Sequence, residues 1–323
     1  MPSPFDHPAL MSHQVVPSGA PILITGSHRS GSTWVANVLA RSRSLGYLRE
    51  PFHPDHRPGI CGAEFKHFYT YVGTENEGSY YRDIERMLAF RYNLARELAS
   101  VRTLRDGLRM VRDEGRFATS RLRRARPLIQ APMGLFMAEW LADRFGARVV
   151  VLVRHPAAFA GSLKRLGWTF DFRHLTEQPV LMRRYLRPFE EDVRAYATHP
   201  PDVIDQAILI WRMLYSTAAR LQEQFPNWIF LRHEDLSIRP IAEFESLCRN
   251  LSLTFSQKIR TYLEKTTQAS NPDEADDGVV HQLRRDSSAN VHNWKKRLTP
   301  GEIERIRRGT EVPASHFYDA CFW

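Results

Sequence analysis

The sequence predicts an α/β fold built on a mainly parallel sheet, and three observations carry that prediction. An apolar, β-branched run from Ile22 to Thr25 leads directly into a loop of glycine and serine and then into a helical pattern. A second run, ARVVVLV at 147–153, is unbroken rather than alternating, as expected of a strand buried on both faces of a parallel sheet. Beyond these, strand-like runs alternate with stretches of helical period, the pattern of a doubly wound sheet. With 323 residues, 43% of them hydrophobic, the chain has enough apolar mass for a sizeable core.

Taken in order, residues 1–18 are rich in Pro, Ser and His without periodicity and are expected to form a disordered tail. Residues 19–323 are expected to form a single domain. The first strand, ILIT, passes through GSHRSGST into the helix TWVANVLARS; a second strand is expected at 45–48, ending at Glu50-Pro51. A basic helical insertion is expected at about 75–126. From 82 to 126 it holds 13 Arg against six acids, and Met87, Leu88, Leu94, Leu98, Val101, Leu104, Leu108 and Val111 recur at three- and four-residue steps. That spacing predicts one packed face and one charged face. The α/β pattern resumes with PLIQAP (127–132), a helix near 134–145 and the strand at 147–153. Helices are then expected near 156–166, 180–198 and 203–224, a strand at 228–232, and helices near 240–252 and 256–267. An acidic loop is expected at 271–278, and a short last helix after Thr299-Pro300, where proline suits the first turn.

The charge balance narrows the function. There are 45 Lys+Arg against 36 Asp+Glu, a formal charge of +9, and the only lysines are at 66, 164, 258, 265, 295 and 296. Guanidinium forks grip phosphate and sulfate bidentately, which points to an anionic partner. Cys61, Cys248 and Cys321 are odd in number and far apart, so neither a disulfide framework nor a zinc site is indicated. With no signal-like or membrane-spanning run in the sequence, a cytoplasmic protein is expected.

The loop from Gly26 to Thr33 fits G-x-x-x-x-G-x-[ST], but Ser32 stands where a nucleoside-triphosphate enzyme has its lysine. No aspartate follows the 147–153 strand, which runs into Arg154-His155-Pro156, so no metal machinery is expected. What remains is a set of backbone N–H groups at a helix N-terminus, hydroxyls at Ser30, Ser32 and Thr33, and a relocated cation, Arg29. In RHPAAFAGS, Arg154 ends the buried strand and Ser162 lies two turns into the next helix, a pair able to converge on a second anion.

These segments resemble the sulfotransferases that use 3′-phosphoadenosine-5′-phosphosulfate (PAPS) and release adenosine 3′,5′-bisphosphate (PAP). ILITGSHRSGSTWVANVLARS is similar to that family's 5′-phosphosulfate loop, VVVLVRHPAAFAGSLKRLGW to its 3′-phosphate motif, WIFLRHEDLSIRP to its strand-turn-helix, and RRDSSANVHNWKKRLTPGEI to its basic C-terminal stretch. The resemblance implies a three-layer, P-loop-like fold and transfer of a sulfuryl group, without a metal, to a hydroxyl or amine of a small-molecule, carbohydrate or lipid acceptor. It implies donor contacts from His28, Arg29, Ser30, Gly31, Ser32 and Thr33 at the phosphosulfate, and from Arg154, Ser162 and Arg285 at the 3′-phosphate. Arg29 takes the place of the family's catalytic basic residue.

Arg29, permanently charged, is a poor base. Glu50, in the LREPFHP segment that resembles carbohydrate sulfotransferases, is the first candidate to take the acceptor proton, and His53 is the second. Gln130-Ala131 replaces a Lys-Asp expected in bacterial relatives, so no ligand contact is expected from there. Glu234 and Asp235 are expected to cap the helix after the 228–232 strand, Trp211 and Tyr215 to share a core face, and Trp294 to pack. Trp168, Phe170 and Phe172 fall in a candidate acceptor loop. A kinase using ATP and Mg²⁺, or a non-enzymatic binder of anionic polymers, remains open; nucleic acid is not the expected partner. Residues 82–126 offer a peripheral contact with an acidic membrane.

Overall fold

The computed structural model describes residues 19–272, 284 and 286–323. The expected tail at 1–18, most of the 271–278 loop and Arg285 lie outside the described residues. The chain runs β1 (Ile22–Thr25), α1 (Ser32–Leu39), β2 (Leu45–Arg49), α2 (Tyr81–Leu88), α3 (Leu94–Ser100), α4 (Leu104–Leu122), β3 (Arg126–Gln130), α5 (Ala138–Phe145), β4 (Arg148–Val153) and α6 (Pro156–Leu166). It continues through the short α7 (Arg173–Thr176) and α8 (Pro179–Leu181), α9 (Glu190–Thr198), α10 (Val203–Gln224), β5 (Ile229–Arg232), α11 (His233–Ile238), α12 (Pro240–Asn250) and α13 (Gln257–Thr267). It ends with α14 (Ser287–Asn290), α15 (Trp294–Arg297) and α16 (Pro300–Ser315).

The five strands form one sheet, ordered β2-β3-β1-β4-β5, and every pairing is parallel. Side chains alternate between two buried faces. Leu23 of β1 and Val149, Val151 and Val153 of β4 enter one core, with α6 and α10; Ile22, Ile24, Val150 and Leu152 enter the other, with α1, α12 and α13. Helices thus cover both sides of the sheet, giving three layers, and the unbroken apolar character of β4 follows from burial on both faces.

Three stretches depart from the pattern read in the sequence. The helical run at 81–126 is three helices, with breaks at 89–93 and 101–103, and β3 already begins at Arg126. The stretch at 180–198 is likewise interrupted, with a π-turn at Met182–Leu186 and a 3₁₀ turn at Arg187–Phe189, where Pro188 cannot donate a helical hydrogen bond, before α9. The last helix, α16, is a full 16 residues with a Thr299–Glu302 capping box.

The apolar stripe of the insertion does not pack as its period suggests. Leu94, Leu98, Leu104, Leu108 and Val111 are exposed, and α3 and α4 bury charge instead. Glu97 is 2% and Asp113 7% exposed, and both carboxylates close on the guanidinium of Arg57, Asp113 at 2.7 Å. Glu97 also accepts the Gly59 N–H at 2.8 Å. A buried ion cluster that leaves its polar groups hydrogen-bonded holds the inner face, so the leucines are turned to the outside. No helix among the described residues is long and apolar enough to cross a membrane.

Candidate active site

The carboxyl ends of all five parallel strands meet along one edge of the sheet, where open α/β folds bind ligands. Glu50 follows β2, Gln130 ends β3, the Gly26–Thr33 loop follows β1, Arg154 follows β4 and His233 follows β5. The β1 loop, Glu50, Arg154 and His233 border one open cleft. Strand order sets the layout: Glu50 and His53 lie toward one edge, His233 and helices α11, α13 and α14 toward the other, and the β1 loop sits between them.

The loop turns on two glycines that no other residue would replace without strain. Gly26 (φ 142°) passes so close to β4 that a Cβ would stand 2.3 Å from the Leu152 carbonyl oxygen. Gly31 (φ 94°) precedes α1, and its Cβ would meet His233 Nδ1 at 2.5 Å. Between them Arg29 itself holds a left-handed backbone (φ 64°), and so does Glu50 (φ 45°). Non-glycine residues in this region cost about 1–3 kcal/mol each, and such strain gathers at functional sites.

Each expected site residue except Arg285 can be placed. The Arg29 side chain donates from Nε to Ser162 Oγ at 3.1 Å and lies 5.6 Å from the centroid of the Trp168 ring. Arg154, buried, donates from Nη1 to the Arg29 carbonyl, which joins the two anion motifs directly. Its Nε is buried without a partner, as is Ser30 Oγ, while burial pulls the guanidinium below its ordinary value. Ser32 and Thr33 line the cleft at the start of α1. Orphaned buried donors beside a helix N-terminus are the complement of a phosphate-like group. The same edge carries the indole Nε1 of Trp34, also buried and unpartnered.

His28 is held neutral, its pKa lowered to about 4 by desolvation and by Arg29. Its Nδ1 meets the Tyr69 hydroxyl at 2.6 Å, and that hydroxyl also accepts the His28 N–H at 3.3 Å. Tyr69 thus anchors both the backbone and the ring of His28 beside the cleft. His53 Nδ1 accepts the Asp55 N–H at 3.0 Å, which places the proton of the neutral ring on Nε2. Arg285 lies outside the described residues.

The residue passed over in the sequence is Gln130. Fully buried, its side-chain N–H₂ donates to Ser32 Oγ and Thr33 Oγ1, each at 3.3 Å, and to Glu50 Oε1 at 3.2 Å, while its Oε1 accepts the Tyr47 hydroxyl at 3.2 Å. The Glu50 carboxylate is therefore tied through one amide to the loop hydroxyls. The Lys-Asp comparison concealed this. The available signal was position: Gln130 ends a buried strand next to the loop strand, and a polar side chain there must find partners.

Outside the cleft, Trp211 and Tyr215 are buried as expected, and their polar tips brace the site. Trp211 Nε1 donates to the Arg154 carbonyl at 2.8 Å; Tyr215 donates to the Leu152 carbonyl at 3.2 Å and meets Ser27 Oγ at 2.8 Å. Neither acid after β5 caps α11. Asp235 pairs with Arg232 at 2.6 Å, and Glu234, buried, reaches across to accept the His155 N–H at 3.0 Å and the Tyr318 hydroxyl at 2.7 Å. It thereby fixes the turn from β4 into α6 that carries Arg154. Trp294 packs, stacked on His155 at 5.3 Å.

His155 supplies a stability prediction. Its ring is buried, and burial together with His292, Lys295 and Arg154 lowers its pKa from 6.5 to about 3. The folded state thus binds fewer protons than the unfolded chain between these values, so stability is full above pH 6.5 and falls as pH drops toward 3. His155→Phe should flatten this loss, by up to about 3 kcal/mol, in unfolding free energies from denaturant titrations between pH 7 and pH 4. An unchanged pH profile would exclude His155 as its source.

Residues 21–257 match the model of the sulfotransferase family. No curated protein matches the chain in sequence. Among solved structures, the sulfotransferase domain of the curacin biosynthetic pathway is similar at 17% identity over 90% of this chain and 96% of that one, with a TM-score of 0.44. The sulfotransferase domain of the Synechococcus PCC 7002 olefin synthase is similar at 14% identity over 97% and 99%, with a TM-score of 0.45. A mouse sulfotransferase complexed with PAP is similar at 12% identity over 92% and 88%, with a TM-score of 0.44. Since the family model spans well over half of the chain, including the β1 loop and the β4–α6 turn, this protein belongs to the sulfotransferase family.

Proposed function

We propose that the protein, acting in the cytoplasm, transfers the sulfuryl group of PAPS to an acceptor hydroxyl. The observation that carries the reading is the convergence, in one cleft, of a lysine-free phosphate loop, an Arg154 whose Nε is buried without a partner, and the carboxylate of Glu50. The loop amides, Ser32, Thr33 and Arg29 bind the 5′-phosphosulfate. Arg154 and Ser162 bind the 3′-phosphate, with the base lying toward Trp34.

The acceptor oxygen forms its bond to sulfur as the bond from sulfur to the bridging phosphate oxygen breaks. The acceptor proton passes to Glu50, and PAP leaves. Arg29, next to the loop, neutralises charge growing on the leaving phosphate, an electrostatic role that needs no proton transfer. Glu50 is favoured over His53 because the Nδ1 lone pair of His53 is already taken by the Asp55 N–H. Gln130 orients the Glu50 carboxylate toward the loop.

Calorimetric titration with PAP should give a one-to-one complex without added Mg²⁺, weakened at least about tenfold by Arg154→Ala through loss of a charged, hydrogen-bonding group. Binding of ATP with Mg²⁺ in preference to PAP would replace this reading by the kinase alternative.

A further inference from the structure

Among the described residues, six of the nine large apolar side chains that stand exposed belong to the insertion: Leu94, Leu98, Leu104, Leu108, Val111 and Leu122. On α4, Leu104, Leu108, Val111 and Leu122 are 83%, 66%, 68% and 84% exposed, and their spacing by three, four and eleven residues sets them on one stripe. A second stripe runs beside it. Arg105, Arg109, Arg112, Arg116 and Arg123 follow at steps of four, three, four and seven, so five guanidinium groups share one side of the helix. Asp106 and Asp113 offset Arg109 and Arg112, at 3.9 and 3.1 Å; Arg105, Arg116 and Arg123 have no carboxylate within 4.0 Å among the described residues. An outward apolar stripe flanked by arginine is the make-up of a helix that lies in a membrane interface.

Arg112, Arg116 and Arg123 of this stripe line one wall of a groove. Its other wall is β2 with Arg49 and the end of α1 with Arg41, and the groove runs to Glu50 and His53, which it shares with the cleft. Tyr47 and Arg49 line it together with Arg112 and Arg116 of α4, so the two walls face each other. A groove richer in cations than in carboxylates thus leads from the arginine side of α4 to the candidate base.

We propose that α4 seats the protein on an anionic lipid bilayer, with its leucines among the acyl chains and its arginines on the headgroups, and that the acceptor hydroxyl belongs to an anionic lipid headgroup drawn along the α4–β2 groove. The docking half stands on the helix alone; the acceptor half rests on the sulfotransferase reading above.

Co-sedimentation of the full chain with phosphatidylcholine vesicles, with and without phosphatidylglycerol, tests the docking. Sedimentation only with the anionic vesicles, weakening as salt rises, is expected. Leu108→Asp should lower the partition coefficient about tenfold, and Arg116→Ala about fivefold. Both residues are exposed and outside the catalytic groups, so PAP titration should be unchanged and serves as the folding control. Equal sedimentation with and without phosphatidylglycerol, or unaltered sedimentation of the variants, would overturn the proposal. So would a dimer in sedimentation velocity that Leu108→Asp dissolves, since a second copy would then cover the stripe. Tight capture of soluble dextran sulfate without dependence on Leu108 would also overturn it, because the arginines would then read a polymer. If vesicles bind but PAP does not, docking stands and the donor reading falls. If both bind, label from ³⁵S-PAPS should extract with the lipid, and label confined to water-soluble products would refute a lipid acceptor.

Discussion

Arg29→Ala is expected to lower kcat for sulfuryl transfer by about 10²–10³-fold, the usual cost of removing one donor aimed at developing charge. The structure explains why the loss should fall on kcat. Arg29 is held in a strained left-handed backbone, its Nε is fixed by Ser162 and its guanidinium lies beside Trp168, so the cation is placed before the donor arrives. PAP affinity should drop less than kcat, because the loop amides and Arg154 remain. Arg29→Lys should recover part of the rate, since charge is kept, but not all of it, since an ammonium cannot both donate to Ser162 and reach the loop as a fork does. Equal losses in PAP affinity and in kcat would show that Arg29 is a binding group and not one that acts on the transition state.

Glu50→Gln is expected to lower kcat by about 10²–10⁴-fold with the KM for PAPS nearly unchanged, as for loss of a general base. The substitution keeps the size of the side chain and a hydrogen-bonding partner for Gln130, so the loop should keep its shape. His53→Gln, in contrast, should change kcat by less than about threefold. Reversal of these two effects would transfer the base to His53. Gln130→Ala separates position from chemistry: it leaves Glu50 in place but removes its tie to Ser32 and Thr33, so kcat should fall while the pH dependence of the rate keeps its shape. Thermal unfolding of each variant distinguishes a misplaced base from a loosened loop.

Much of the scaffold was legible because its signals are local. The passage from Ile22–Thr25 through two glycines into α1 is written in residue types that turn chemistry demands, and the Val-rich β4 declares burial on both faces. Arg29, Arg154 and Glu50, which line the cleft, were read from the polar segments after three strands, with their roles implied by the family resemblance. Gln130 was missed because its importance lies in four partners, Tyr47, Glu50, Ser32 and Thr33, that no neighbouring residue announces. Glu234 was misread for a similar reason: a carboxylate in the first turn of a helix suggests a cap, yet this one is spent on His155 and Tyr318, remote in the chain.

The insertion marks the division most clearly. By itself the sequence determined that 82–126 is basic, helical and periodic in leucine, since charge and period are properties of the residues alone. Only the tertiary structure decided which way the period faces. Arg57, brought in from the loop after β2, draws Glu97 and Asp113 inward, and burying that ion cluster turns the leucines of α4 outward, a choice between faces that depends on a contact between distant segments and not on the helix.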